Sequence, residues 1–352
     1  MNRPHSSGLA DAVRAITAMA TVWSSALAAQ PTPIPMDASK ALTLRNTQMV
    51  VHLYRPDVAQ PFYIGQRFNR GGIVAAVDTA GRRFFGPWQP DMSPDKHDAI
   101  TGPADEFDIQ HPPFYDEAQP GEPFVKIGVG LLRRRDDQPY QFWTRYEEVD
   151  GGQWTVEVED RSARFRHELR GGAFGYVLEK TVAVADDAPV MTLAYRLENT
   201  GSRPLHTLHY HHNFFVFEGV DALGPDWSLT LAYPPEVLES RSDAFTLSGR
   251  ELRIAPLPGG RSAWISLSGT PDAARHHFRV FHRGVGMGVE VRGDRPLEKM
   301  NVYAQYGTLC PEPFVRLEVA PGESVTWSVS YRFMVVAPAP AAEPPFPEPH
   351  AP

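Results

Sequence analysis

Between Gln48 and Phe333, apolar and polar residues alternate with period two in one short run after another, each closed by Gly, Pro, Asn or Asp. "WSLTLAY", "SAWISLSG" and "ESVTWSVSYRF" show the pattern plainly. Successive side chains of an extended strand point to opposite sides, so these runs read as strands with one buried face. More than a dozen of them in one chain bury their apolar faces by stacking two antiparallel sheets. The expected fold class is therefore all-β, one large two-sheet sandwich. No segment repeats itself at a period that would suggest a propeller or a solenoid. A hydrophobic content of 42% with 11% aromatics supplies the core such a sandwich needs.

The formal charge of −8 and the scattering of the basic residues argue against a nucleic-acid partner, which needs a cationic footprint. Residues 1–29 read as a secretory signal: Arg3 and Arg14 precede an apolar stretch too short to span a bilayer, which ends in the small-residue pattern Ala26-Leu27-Ala28. A periplasmic or secreted location and no membrane insertion follow as expectations. A Pro-rich linker is expected over 30–45, the sandwich domain over 46–335 and a disordered Pro/Ala-rich tail over 336–352. Cys310 is the single cysteine, which rules out an intrachain disulfide and a cysteine zinc site. The polar stretch Asp91–Pro123 reads as a long loop, and loops of that length in a compact domain are commonly functional.

Two segments carry chemistry. In "HTLHYHHNFFVFEG", strand alternation puts His209 and His211 on one face and Tyr210, His212 and Phe214 on the other. His209 and His211 could join a carboxylate such as Glu218 as metal ligands or be hydrogen-bonded members of a half-buried strand. Nothing near them in sequence adds a convincing third ligand, so no metal is expected. In "CPEPFVRLEV", Glu312 stands between Pro311 and Pro313 just ahead of an alternating run. Those prolines fix φ and remove backbone donors around the acid.

Together these segments resemble the aldose 1-epimerase (galactose mutarotase-like) superfamily. "YRLENTGSRPLHTLHYHHNFF" matches its turn and histidine strand, and "CPEPFVRLEVAPGESVTWSVSYRF" matches its late glutamate motif. Within the superfamily the chain is similar to a less-characterised branch, through Gly65–Gly72, His97–Phe107 and Tyr210–Phe215. The resemblance implies a galactose mutarotase-like sandwich and a cofactor-independent enzyme on carbohydrate that interconverts sugar anomers. It implies His212 as general acid toward the ring oxygen and Glu312 as general base toward the anomeric hydroxyl. His97 and Arg67 are the implied substrate ligands, with Lys126, Tyr210 and Asn213 as further candidates. The superfamily's substrate-binding aspartate has no secure counterpart, Asp226 being the nearest.

Ring opening needs a proton taken from one oxygen and another given to its neighbour, so an acid and a base are expected to face each other across the sugar. Two other readings use the same sandwich: a glycan lyase or glycoside hydrolase, and a carbohydrate-binding protein without catalysis. The sugar and the oligomeric state stay open at this point.

Overall fold

The computed structural model describes residues 39–258 and 260–337. The expected signal (1–29) and the tail from 338 lie outside them. The described residues form twenty-three β-strands and one 3-10 turn at Ala273–Arg275. None of their helices is long and apolar enough to cross a membrane.

A ten-stranded antiparallel sheet runs in the order Phe245–Ser248, Glu251–Ile254, Trp227–Leu231, His277–His282, Met287–Gly293, Ser324–Val335, Val190–Asn199, Tyr176–Val184, Ser162–Leu169, Gln153–Val158. A six-stranded sheet lies against it, in the order Val237–Ser240, Ser262–Thr270, Leu297–Gln305, Thr308–Val319, Leu205–Phe214, Gly102–Phe107. Val190–Asn199 alternates half-buried and buried residues along its whole length, as the period-two pattern requires. Leu193, Leu197, Val329 and Tyr331 of the larger sheet share one core with Val302, Val315 and Leu317 of the smaller. The expected all-β sandwich is the observed one.

Two smaller sheets flank it. One has four strands between Ala41 and Phe84, and the other joins Pro123–Lys126, Gly130–Arg133 and Glu147–Asp150. The first begins earlier than expected. Ala41–Arg45 pairs along its length with Met49–Tyr54, so strand structure starts inside the stretch read as linker (30–45). In "ALTLR" only Leu44 is fully buried, too little alternation to announce a strand.

The stretch Asp91–Pro123 is not all loop. Its residues Gly102–Phe107 form the edge strand of the six-stranded sheet, buried at all six positions and paired with Phe214 to His209. "GPADEF" carries two acids and no alternation, because its partners come from other elements on both faces. Gly102 makes the sharp entry to this strand, at φ +70, where a Cβ would lie 2.4 Å from the Val74 carbonyl oxygen. Gly102→Ala is expected to cost about 2–3 kcal/mol, read as a lowered urea midpoint with an unchanged slope.

Candidate active site

The strand Leu205–Phe214 presents Tyr210, His212 and Phe214 to the outer face of the six-stranded sheet and His209, His211 and Asn213 to the space between sheets, as alternation predicts. Its neighbour Thr308–Val319 carries Glu312 inside the strand, not ahead of it. Pairing between these two strands stops at Tyr210 and Phe314, while pairing of Glu312 with Asn301 on the other side continues. The prolines explain the asymmetry: Pro311 and Pro313 have no N–H to offer the histidine strand. The Asn213 amide fills part of the gap by donating to the Pro311 carbonyl oxygen at 2.8 Å. Where the ladder opens, His212 Nε2 and Glu312 Oε1 come to 3.2 Å of each other, both nearly fully buried.

The expectation that acid and base face each other across a sugar is corrected by this geometry: they stand side by side. The chemistry permits it. The hydroxyl and ring oxygens of a hexose that must exchange protons are bonded to the same carbon, closer together than the two side chains are.

The pair lines a cavity of about 600 Å³ together with Arg67, His97 and Asp98, Trp88, Phe142 and Trp143, and Asn301, Tyr303 and Lys299. Such a volume is ordinary for a small-molecule site. His212 stacks on Phe214 at 4.0 Å, which in turn stacks on Trp88 at 4.8 Å. Burial, seconded by Arg67, holds the His212 imidazolium pKa well below its usual value, so the ring is neutral. Burial pushes the Glu312 carboxyl up to about 7, against the opposing pull of Arg67. The usual order of acidity of the two groups is thus reversed, and a single proton on the pair favours Glu312.

Arg67 is held by Glu106, whose Oε2 accepts from Arg67 Nε at 2.8 Å. Glu106 is completely buried on the edge strand and also takes a hydrogen bond from the Tyr210 hydroxyl and one from Lys126 Nζ at 3.2 Å. Lys126 spends its other donors on the carbonyl oxygens of Phe107 at 3.1 Å and Asp108 at 2.7 Å. Of the expected substrate ligands, the structure places Arg67 and half-buried His97 at the cavity. Lys126, Tyr210 and Asn213 do not line it. The first two hydrogen-bond Glu106 instead, and Asn213 points between the sheets, where Tyr331 donates to its Oδ1 at 3.0 Å. Asp226 pairs with Arg283 at 3.0 Å and does not line the cavity either.

The sequence reading missed Glu106 and Asn301. The second was within reach: counting back from the Tyr306-Gly307 turn, Gln305 opposes Thr308 and Asn301 opposes Glu312. The Asn301 amide hydrogen-bonds Glu312 and lowers its pKa somewhat, while Asn301 Oδ1 is buried with no partner. Cys310 is buried, and burial raises its thiol pKa well above normal, in keeping with a small packed hydrophobe.

On the inner face, His209 and His211 meet Asp105, not Glu218, and their ligand atoms lie within 4.8 Å of one another. Lys180 Nζ already sits 2.6 Å from Asp105 Oδ2, and the Tyr195 hydroxyl donates to Oδ1. A divalent cation there would have to displace a buried ammonium, so this donor set does not fit a metal.

No family model matches the chain, and no curated protein matches it. Solved structures do. An aldose 1-epimerase candidate from Escherichia coli K12 superposes with a TM-score of 0.52 at 15% identity, over 84% of this chain and 99% of that one. The GalM/aldose epimerase homologue from C. elegans gives 0.53 at 13%, over 85% and 100%. A galactose mutarotase-like protein from Lactobacillus casei gives 0.52 at 10%, over 84% and 100%. At such identities the likeness speaks for the backbone alone, and what it establishes is that this chain has the galactose mutarotase-like β-sandwich fold.

Proposed function

We propose that this protein is an exported carbohydrate enzyme that interconverts the anomers of a reducing sugar, with His212 and Glu312 as its acid/base pair. The observation that carries the reading is the contact of these two groups at 3.2 Å in one cavity. Opening the ring moves a proton from the anomeric hydroxyl to one member of the pair while the other member gives a proton to the ring oxygen. Closing it on the other face of the carbonyl reverses both transfers. Whichever group starts as acid ends the first half as base, so one proton shared between imidazole and carboxyl serves the whole cycle. Arg67 and His97 are then the substrate-binding donors.

Bond cleavage fits less well. Hydrolysis of a glycoside commonly uses two carboxylates roughly 5–9.5 Å apart, and the partner of Glu312 is an imidazole in direct contact.

The shared proton makes a prediction about pH. In the free enzyme it rests on Glu312, with a pKa of about 7, because His212 is held neutral. Removing it leaves carboxylate and neutral imidazole with nothing to donate. Above about pH 7, kcat/KM for anomer exchange is expected to fall about tenfold per unit. Below that value it should stay level well past the usual histidine pKa, since His212 resists a second proton. NMR saturation transfer between anomers across pH 5–9, corrected for the uncatalysed rate, measures it. A profile that rises through pH 7 would remove the shared proton from the mechanism.

A further inference from the structure

The cavity does not end at the catalytic pair. Glu312 is in register with Asn301, Asn301 with Ser266, and Ser266 with Glu239, each on the next strand of the six-stranded sheet. All four line the same cavity as His212. Three strand-to-strand steps of about 4.8 Å make this polar row roughly 14 Å long, more than a single pyranose ring spans.

The two ends of the row differ. Over His212 the cavity is walled by side chains from outside the sheet, among them Trp88, His97 and Phe142. At the other end lie Glu239 and Arg241, with side chains 52% and 70% exposed, on and beside the edge strand Val237–Ser240. Between the ends, Asn301 and Ser266 are only 5% exposed. Asn301 Oδ1 is a buried acceptor with no protein donor, a costly arrangement unless a ligand hydroxyl supplies one. Next to Ser266 on the same face stands half-buried Trp264, its ring under the Arg241 guanidinium at 4.7 Å. Acceptor, hydroxyl and aromatic ring in series are what a sugar ring requires, hydrogen bonds at its rim and an apolar surface under its face.

We propose that the site takes the reducing end of an oligosaccharide: the terminal ring sits against His212 and Glu312, and the next ring lies over Asn301, Ser266 and Trp264, pointing out past the edge strand. This rests on the catalytic reading for its direction, since the walled end is where the anomeric carbon must be.

Calorimetric titration of the full chain with galactose, β-1,4-galactobiose and β-1,4-galactotriose, and with glucose, cellobiose and cellotriose, tests it. In one series the trisaccharide is expected to bind at least about tenfold more tightly than its monosaccharide. Trp264→Ala should cut that ratio to about threefold or less. The ratio is the readout, so a general loss of folded protein cancels. A ratio near one in both series, an absence of binding included, overturns the extended site, as does a ratio that survives in both Trp264→Ala and Asn301→Ala. Anomer exchange without length dependence would sink the second subsite and leave the catalytic reading. Length-dependent binding with exchange unaffected by Glu312→Gln would do the reverse.

Discussion

Glu312→Gln is expected to reduce anomer exchange about a thousandfold while making the protein more stable above neutral pH. The first effect follows from the role: a positioned acid/base group contributes roughly 10²- to 10⁴-fold, and an amide neither takes nor gives the proton. The second follows from the environment. Burial raises the folded-state pKa to about 7 from 4.5. A raised carboxyl is no burden while both states are protonated, below about pH 4.5. The penalty for burying its charge grows as pH rises between the two values and is complete above the higher one. At 1.36 kcal/mol per unit the relief in the Gln variant reaches about 3 kcal/mol at pH 8 and vanishes near pH 4. Saturation-transfer NMR and urea titrations at the two pH values read both. A fall in activity with equal destabilisation at pH 8 would mean that Glu312 is a structural residue, and exchange at the wild-type rate would remove Glu312 from the catalytic pair.

Glu106→Ala should be the most damaging substitution away from the catalytic pair, at about 3–5 kcal/mol. Its carboxylate neutralises two buried cations, the Arg67 guanidinium at 2.8 Å and the Lys126 ammonium at 3.2 Å. Burial disfavours the charge on Lys126 and lowers its pKa; Glu106 and Asp108 pull the other way. Arg67 stays charged against the same burial because Glu106 and Tyr210 stabilise it. Removing the acid leaves both cations desolvated, with carbonyl oxygens and a hydroxyl as their remaining hydrogen-bond acceptors. Adding Lys126→Met to Glu106→Ala should recover part of the loss, since one orphaned charge is then gone. Urea denaturation of the single and double variants measures it, and a single-variant cost under about 1 kcal/mol would show that the network is not needed. Activity should fall as well, because Arg67 would lose the partner that aims it at the cavity.

Much of the site was legible before any fold was known. The alternation of "HYHHNF" sorts its side chains correctly: His212 and Phe214 turn to the cavity, His209, His211 and Asn213 to the space between sheets. The prolines around Glu312 marked a backbone built for something, and they turn out to interrupt the ladder beside His212. Lys126 shows the limit. Flanked by apolar residues in "FVKIGVG", it reads equally as a pocket lysine or a snorkelling one, and it is neither, because its ammonium meets an acid from another sheet. "GPADEF" shows the limit more sharply. With adjacent acids it resembles a solvated loop, yet Asp105 finds Lys180 on one face and Glu106 finds Arg67 and Lys126 on the other.

Period two is a property of the chain itself, since each side chain's direction depends only on its neighbours' backbone. The sequence alone therefore determined the sandwich class, the faces of the histidine strand and the identity of an available imidazole and carboxylate. Which strands lie next to each other depends on long-range pairing, and only the tertiary structure decided that. It made neighbours of His212 and Glu312 across a hundred residues of chain and gave the buried acids Asp105 and Glu106 their cations. It also aligned Asn301, Ser266 and Glu239 into the row that continues the site.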